Sequence, residues 1–501
     1  MDVFCEFQKK NKNNAVVPGF IPGIHWRLRQ AEMRVGPGNK CRDDTFGFGG
    51  LRRVVLPLLM ATALAACSMA PDYERPEAGT PETWSAGERE GMDVAADTQW
   101  WTAFGDPELT LLMQMALANN LDIEQALARV EQARGAARAA GSSLLPQVNG
   151  SGSAGRSEMR GGATRESADI GLSASYALDI WGRYRDEARS AGLSLDATEY
   201  DKDGAALIVQ SQVATTYFTI LTLKDRIAIA EDSLKAARDT LDIVEARYEA
   251  GSISGLDLAQ QRNTVATIEA GIPALKADRA ANENALAILL ARVPGRFAVE
   301  TATLDTVALP AIAAGQPSDL LERRPDIRGA EARLKAANAD IGAARAAFFP
   351  SLDLSASVTR SFATASAAET VGSLGASLLA PIFSGGSLEG NLQSATGRQT
   401  ELAANYRLTV LNSFAEVENS LVNVEATAAR AASLAVAADE ARKAYELSLA
   451  RYRAGASDLL SVLDAQRSWL SARDSAAQAR LNRYSTAVDL FVALGGGWKS
   501  S

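Results

Sequence analysis

Residues Ala246–Gly251 read Ala-Arg-Tyr-Glu-Ala-Gly, and residues Ala450–Gly455 read Ala-Arg-Tyr-Arg-Ala-Gly, about 204 residues further on. Each copy closes a very long Pro-free helical stretch and is followed by a Gln-Arg pair, Gln261-Arg262 and Gln466-Arg467. An internal repeat this long means that one architectural unit is used twice. That constrains the fold more than any short motif does.

With 47% hydrophobic and 22% charged residues, the 501-residue chain has globular composition, and its length suggests two or three domains. Its net charge of -9, with no Lys/Arg cluster, argues against nucleic acid as a partner. Near the N-terminus, Arg52-Arg53 precedes an apolar run from Val54 to Ala66 and then Leu64-Ala65-Ala66-Cys67. A basic region, a short apolar region and small residues before a cleavage point make a secretory signal. The run is too short to span a bilayer as a helix. Leu-Ala-Ala-Cys resembles the bacterial lipobox, which makes Cys67 the lipidated first residue of the mature chain. Ser68 follows instead of Asp, and by resemblance to lipoprotein sorting this favours the outer membrane. Such a signal normally begins a chain, so residues 1–50 read as an over-extended start and are set apart from the fold. Cys5, Cys41 and the only histidine, His25, lie in that segment. The mature chain therefore has no disulfide framework, no thiol nucleophile and no His-based triad or zinc site. No cofactor or metal is expected, and no catalytic residue.

Residues 67–107 read as a lipidated N-terminal tether that docks through Trp84, Trp100 and Trp101. Helical pattern then fills Glu108–Leu145, Arg183–Ala250, Pro325–Phe349 and Ser387–Ala454. The two longer stretches would each reach roughly 100 Å at ~1.5 Å per residue. Periodic runs of that length suggest coiled coils. Ile227, Ala230, Leu234, Ala237, Leu241, Val244 and Tyr248 alternate spacings of three and four, and so do Ala431, Leu434, Ala438, Ala441, Tyr445, Ser448 and Tyr452. Gly251 and Gly455 would end these helices in the left-handed conformation, and Ser254 and Ser457 would cap returning helices. Two hairpins result, with helical spans 108–145, 183–290, 326–349 and 387–494, and a connecting segment at 291–325.

Between the helices the period changes to two. Ile170, Leu172, Ala174, Tyr176 and Leu178 alternate with small polar residues, as do Leu352, Leu354, Ala356 and Val358, and Leu374, Ala376, Leu378, Ala380 and Ile382. These are strands about ten residues long with one apolar and one small polar face, the pattern of a transmembrane β-strand. A fourth, Gln147–Arg156, follows from the repeat, because Leu144-Leu145-Pro146 corresponds to Phe348-Phe349-Pro350. The strand regions are 146–182 and 350–386. Trp181, Phe348, Phe349 and Phe383 gather where helix meets strand, as a membrane-interface belt or as the core of a soluble sheet. Four strands cannot close a membrane barrel, and an open edge in lipid is prohibitively costly. The barrel must be shared between subunits.

On these features the chain resembles the TolC-like outer-membrane efflux channels, closest to their lipoprotein (NodT-type) branch. The resemblance spans Cys67 to about Leu494. It is carried by Leu64-Ala65-Ala66-Cys67, Asp106-Pro107-Glu108-Leu109, Leu320–Ile327, the second hexapeptide and Leu463-Asp464-Ala465-Gln466-Arg467. It implies an α+β membrane protein: a homotrimer with a 12-stranded β-barrel continuous with an α-helical periplasmic tunnel, and a mixed equatorial domain that includes 291–325. Its partners would be a periplasmic adaptor (membrane fusion protein), an inner-membrane RND transporter and outer-membrane lipid.

Leu460 and Asp464, four apart, share one helix face. In the family, the corresponding positions line the closed periplasmic aperture. Threefold symmetry would make Leu460 an apolar constriction and Asp464 a ring of carboxylates that attracts cations. Arg467 would pair with Asp257 of a neighbouring hairpin as a lock. Two plainer readings stand beside this one. Ser254 and Asp257 fit a capping box, and Asp464 with Arg467 fits an intrahelical pair. The function implied is a passive exit duct of a tripartite efflux system. A periplasmic adaptor lipoprotein and the duct of a type I secretion system are the alternatives. Cargo stays open, since the mature chain has no Met/His cluster that points to copper or silver.

Overall fold

The repeat in the sequence is a repeat in space. A computed structural model of the chain describes residues 68–85, 92–93, 99–158, 164–363 and 366–496. The signal segment and Cys67 lie outside them. In chain order the elements are β1 (Met92–Asp93), α1 (Pro107–Asn119), α2 (Leu121–Gly141), β2 (Gln147–Glu158), β3 (Thr164–Leu178), α3 (Arg183–Glu249) and α4 (Gly255–Leu289). There follow β4 (Ile312–Ala313), α5 (Leu320–Arg323), α6 (Pro325–Ala346), β5 (Ser351–Ala363), β6 (Ser366–Leu379), α7 (Ser387–Arg453) and α8 (Leu459–Ala493). Helices α3 and α7 both have 67 residues, and α4 and α8 both have 35. Counted from Leu121 to Pro325, Gln147 to Ser351, Arg183 to Ser387 and Gly255 to Leu459, corresponding elements start 204 residues apart. The first half thus matches the second without insertion or deletion at these boundaries.

Local chemistry sets the ends. Gly182 (φ 78°) and Gly386 (φ 87°) lead into α3 and α7 in the left-handed region, where a side chain would be strained. Asp106 caps α1 by accepting from the Glu108 and Leu109 amides, and Pro107 takes the first helical position. The stretch predicted as one helix over Glu108–Leu145 is two. Asn120 adopts extended backbone, accepts from the Asp122 and Ile123 amides as the cap of α2, and donates to the Leu289 carbonyl. No proline or glycine marks this break; an asparagine that satisfies both helix ends makes it.

The four long strands form one antiparallel sheet in the order β2-β3-β5-β6. Register puts Val148, Ala174, Ala356 and Leu374 in one row across it, and Asn149, Ser173, Ser357 and Ser373 in the next. One face is therefore apolar and the other small and polar, as the period-two pattern predicts. The apolar face is bare in the single chain: Ile170 is 65% exposed and Leu374 88%. The strands run 12 to 15 residues, longer than the ten predicted. The excess lies at the end distant from the helices, where Arg156 pairs with Glu166 at 3.5 Å. Charged residues there extend the ladder beyond the apolar band without entering it.

The main core sits partway along the helices. Trp100, Trp101 and Phe104 of a short 3₁₀ turn are fully buried, with Trp100 stacked on Phe491 at 5.0 Å and Phe104 against Phe218 at 5.0 Å. Two polar tips are satisfied, with Trp100 Nε1 donating to Gln210 (3.0 Å) and the Tyr217 hydroxyl to Asp106 (2.6 Å), whereas buried Trp101 Nε1 has no hydrogen-bond partner among the described residues. Desolvation, and the bond to Asp106, push the Tyr217 phenol well above its ordinary range. The tether docks through its tryptophans, as expected; Trp84 Nε1 donates to the Gly315 carbonyl at 2.9 Å. Upstream, it lies along α6 as a strap. Arg345 donates to the Met69 carbonyl, Asn338 to that of Pro71, and Glu331 accepts from Tyr73 and Arg75. Partner numbers fall as strap numbers rise, so strap and helix are antiparallel. The Arg-Arg-Pro-Asp motif also has a structural role. Arg324, 9% exposed, pairs with Asp326 (2.8 Å) and Glu416 (2.7 Å) and donates to the Ala493 carbonyl, tying α6 to α7 and the end of α8.

Replacing Trp100 by Ala should remove about 3–5 kcal/mol from the stability of this collar. The expected result is a lower apparent melting temperature in detergent with unchanged helix content at 20 °C or so; an unaltered melting curve would contradict the packing described.

Candidate functional site

At the ends of α3 and α7 the two hexapeptides build the same turn from the same bonds. Gly251 (φ 70°) and Gly455 (φ 74°) take the left-handed conformation. The Ser252 amide donates to the Arg247 carbonyl at 2.9 Å, and the Ala456 amide to that of Arg451 at 2.8 Å. Each turn thereby satisfies carbonyls at a helix end. The returning helices are capped differently. Ser254 caps α4 as predicted, but α8 is capped by Asp458, which accepts from the Ser461 amide at 3.1 Å. The predicted cap, Ser457, is one residue early, and its buried hydroxyl makes no hydrogen bond within the chain. Ser254 and Asp458 keep the 204 spacing, whereas the Gln-Arg pairs differ by 205. The pairs are therefore one residue out of structural register, and Gln261 corresponds to Ala465.

Leu460, Asp464 and Arg467 all project from the exposed side of α8, opposite buried Leu459, Val462 and Gln466. Leu460 is 55% exposed. Arg467 donates to Asp464 at 2.6 Å, and the two side chains are 80% and 58% exposed. Asp257 forms a capping box with Ser254, accepting from its amide (3.1 Å) and hydroxyl (2.9 Å). Within one chain, then, Asp257 and Arg467 are engaged locally and not with each other. Both plainer readings of these residues describe the isolated chain.

The predicted seams are realised unequally. Ile227, Ala230, Leu234, Ala237 and Val244 are buried, but Tyr248 is 46% exposed. Of the seam residues predicted on α7, only Tyr445 and Tyr452 are fully buried, and Ala431, Leu434, Ala438 and Ala441 are half-covered. A different contact joins the hairpins at the tip. The Arg247 guanidinium lies 4.4 Å from the centre of the Tyr452 ring and donates to the carbonyls of Tyr452 (2.9 Å) and Arg453 (3.0 Å). A cation thus closes the C-terminus of α7, where the helix dipole favours it. Higher up, Tyr445 stacks on Trp469 at 5.0 Å and Arg226 pairs with Asp474 at 2.6 Å. Sequence reasoning placed Arg247 in the hexapeptide without assigning it this contact; its own position, a cation three residues before Ala250 at the tip of the hairpin, was the available signal.

At the sheet end, Trp181 and Phe349 stack at 4.6 Å, and Trp181 Nε1 donates to the Pro350 carbonyl at 2.9 Å. Phe348 is half-buried beside them, while Phe383 is 92% exposed. The junction aromatics therefore form one compact pair and one projecting ring.

Comparisons with known proteins agree with this geometry. The family model described as "Outer membrane efflux protein" matches residues 112–292 and again 316–496, two spans offset by the same 204 residues. The pyoverdine export outer membrane protein OpmQ of Pseudomonas aeruginosa is 39% identical over 456 residues, covering 87% of this chain and 95% of that protein. The cation efflux system protein CusC of Escherichia coli is 34% identical over 463 residues, covering 88% and 99%. Among solved structures, the open state of the Neisseria gonorrhoeae MtrE outer membrane channel superposes with a TM-score of 0.78 at 31% identity, covering 86% of this chain and 98% of that one.

The Arg247 contact yields a measurable expectation. Arg247→Ala removes two charged hydrogen bonds from the last carbonyls of α7 and should cost about 1–3 kcal/mol locally. Amide hydrogen exchange across residues 446–456 should quicken by roughly tenfold or more, with the collar around Trp100 unchanged. Equal exchange in both proteins would remove Arg247 from the tip.

Proposed function

This chain belongs to the outer membrane efflux protein family, and from that premise we propose that three copies form a passive exit duct with its gate at the hairpin tips. As a member, it is an efflux channel of the outer membrane that extends into the periplasm. The observation that carries the trimer is the open sheet: four strands, two unpaired edges and a bare apolar face. Three copies supply twelve strands, enough to close around a polar lumen. Helix α7 supports the same reading. Its most apolar 18-residue window is 6% buried, against 61% in α3, and Leu408, Leu411, Val422 and Val436 stand exposed on it. Both helices are apolar enough to cross a membrane by composition, but α3 is covered within its own chain and α7 is suited to cover by a neighbour.

The duct would receive cargo from an inner-membrane transporter through a periplasmic adaptor. Cys67, acylated, would anchor each copy in the outer membrane. At the closed tip, Leu460 would make an apolar ring and Asp464 an acidic ring one turn above it. The lock between subunits would exchange the Arg467–Asp464 pair for Arg467–Asp257. All three groups are solvated, so each lock pair contributes only ~0.2–1 kcal/mol. Three such pairs acting together still set a closed bias that one opening event must overcome.

Planar-bilayer recording tests the gate. The double variant Asp257→Ala with Arg467→Ala should raise the open probability several-fold, and Asp464→Asn should lower preference for cations over anions. Wild-type gating in the double variant would sink the lock while leaving the duct. A protein that migrates at monomer mass in SDS without heating, and gives no conductance, would count against the shared barrel itself.

A further inference from the structure

The strap begins at a buried carboxylate. The Ser68 hydroxyl lies 2.8 Å from both oxygens of Asp186 and donates to that carboxylate, while the Ala70 amide donates back to the Ser68 oxygen at 3.1 Å. Asp186, on the first turn of α3, is 2% exposed. Opposite it, α6 presents Gly342. A Cβ at that position would collide with the Asp186 carboxylate and come within 2.7 Å of the Ala70 nitrogen and 2.8 Å of the Ala70 side chain. Only glycine leaves room for the strap to pass. Further along, the carbonyls of Met69 and Pro71 accept from Arg345 (3.3 Å) and Asn338 (2.7 Å). A buried acid, a cleared floor and two flanking donors make a built site. Its position is also defined: Asp186 follows the end of β3 at Leu178 by eight residues and Trp181, which stacks on Phe349, by five.

We propose that Asp186 and Gly342 form a docking site for the residue that follows the acylated cysteine, with the Ser68 hydroxyl as its ligand, so that the lipid enters the bilayer at the base of the sheet. This rests on the reading of Cys67 as the lipid anchor. The geometric gain is large. A chain held first at Arg75 would let residue 67 range over as much as ~26–29 Å, whereas a fixed Ser68 keeps its Cα within about 3.8 Å of one point. The chemistry at residue 68 is equally narrow. Asp186 is acceptor-only when ionised, so the site takes a small hydroxyl donor and repels a carboxylate. Desolvation pushes the Asp186 carboxyl above its ordinary range, and the Ser68 hydrogen bond and Arg189 draw it back. The acid is buried at a cost that the docked serine offsets.

Hydrogen exchange on the detergent-purified full-length protein decides the matter. Exchange at the Met69, Ala70 and Asp72 amides should rise roughly tenfold or more in Ser68→Ala, the effect of losing a hydrogen bond to a charged group. Ser68→Thr, which keeps the hydroxyl, should stay within about twofold of the wild type. Gly342→Ala should release the same amides. If that variant fails to fold, Ser68→Ala still decides, because it removes one exposed oxygen. Wild-type exchange in Ser68→Ala, or equal exchange in the Ala and Thr variants, would overturn the docking site. Mass spectrometry of the peptide containing Cys67 separates the underlying reading: an unacylated cysteine with slow exchange at the Met69, Ala70 and Asp72 amides would overturn the lipid anchor and leave the dock standing.

Discussion

Lipid offers no partner for a backbone N–H or C=O. The four-stranded sheet leaves two edges of such groups unpaired, and most of the molecule follows from closing them. A chain that carries a third of a barrel must place its helices as a third of a tube, because each strand pair runs directly into a helix at Arg183 or Ser387. The bare faces of the sheet and of α7 are then one requirement expressed in two secondary structures. In the isolated chain both look like unexplained apolar surface. In a closed assembly one meets lipid and the other meets protein.

Duplication provides the frame and its divergence provides the function. Two halves with starts 204 residues apart give two hairpins of equal length and equal turns. Their side chains have taken different work. The first hairpin buries an Ala/Leu/Val seam within the chain, while the second leaves its seam half-covered. Tyr248 is exposed where Tyr452 is buried under Arg247. Ser254 with Asp257 closes one cap and Asp458 with Ser461 closes the other, while Asp464 pairs with Arg467 on the surface of the second hairpin.

Local chemistry was legible in the sequence, and long-range chemistry was not. The ends of α3 and α7 were predicted to within a residue because left-handed glycines and a period of 3.5 are local signals. The strands were legible because a lipid-facing pattern repeats every second residue. The break at Asn120 was missed, since its side chain caps one helix and binds the Leu289 carbonyl of another. Ser457 is the predicted cap and Asp458 the observed one, because both residue types cap helices and only backbone geometry separates them. The Gln-Arg pairs suggested equivalence, yet they differ from the structural spacing by one residue, which on a helix is about 100° of rotation. Leu460, Asp464 and Arg467 lie on one exposed side of α8, but the partners that Asp257 and Arg467 take between chains depend on which surfaces a neighbouring chain brings. The strap along α6 had no sequence signature, because its contacts join residues more than a hundred positions apart.

The length of α3 has a mechanical meaning. Its core contacts centre on Tyr217 and Phe218, and its end at Glu249 lies 31 residues beyond, or about 46 Å at 1.5 Å per residue. Pivoted at the collar, such a rod is a lever with a long arm. A tilt of about 10° there, small enough for packed side chains to absorb, sweeps the far end through roughly 8 Å by simple trigonometry on that arm. Hairpins this long convert a slight adjustment in a dense core into a displacement close to the distance between packed helix axes, so the collar can stay packed while the mouth of the tube changes size.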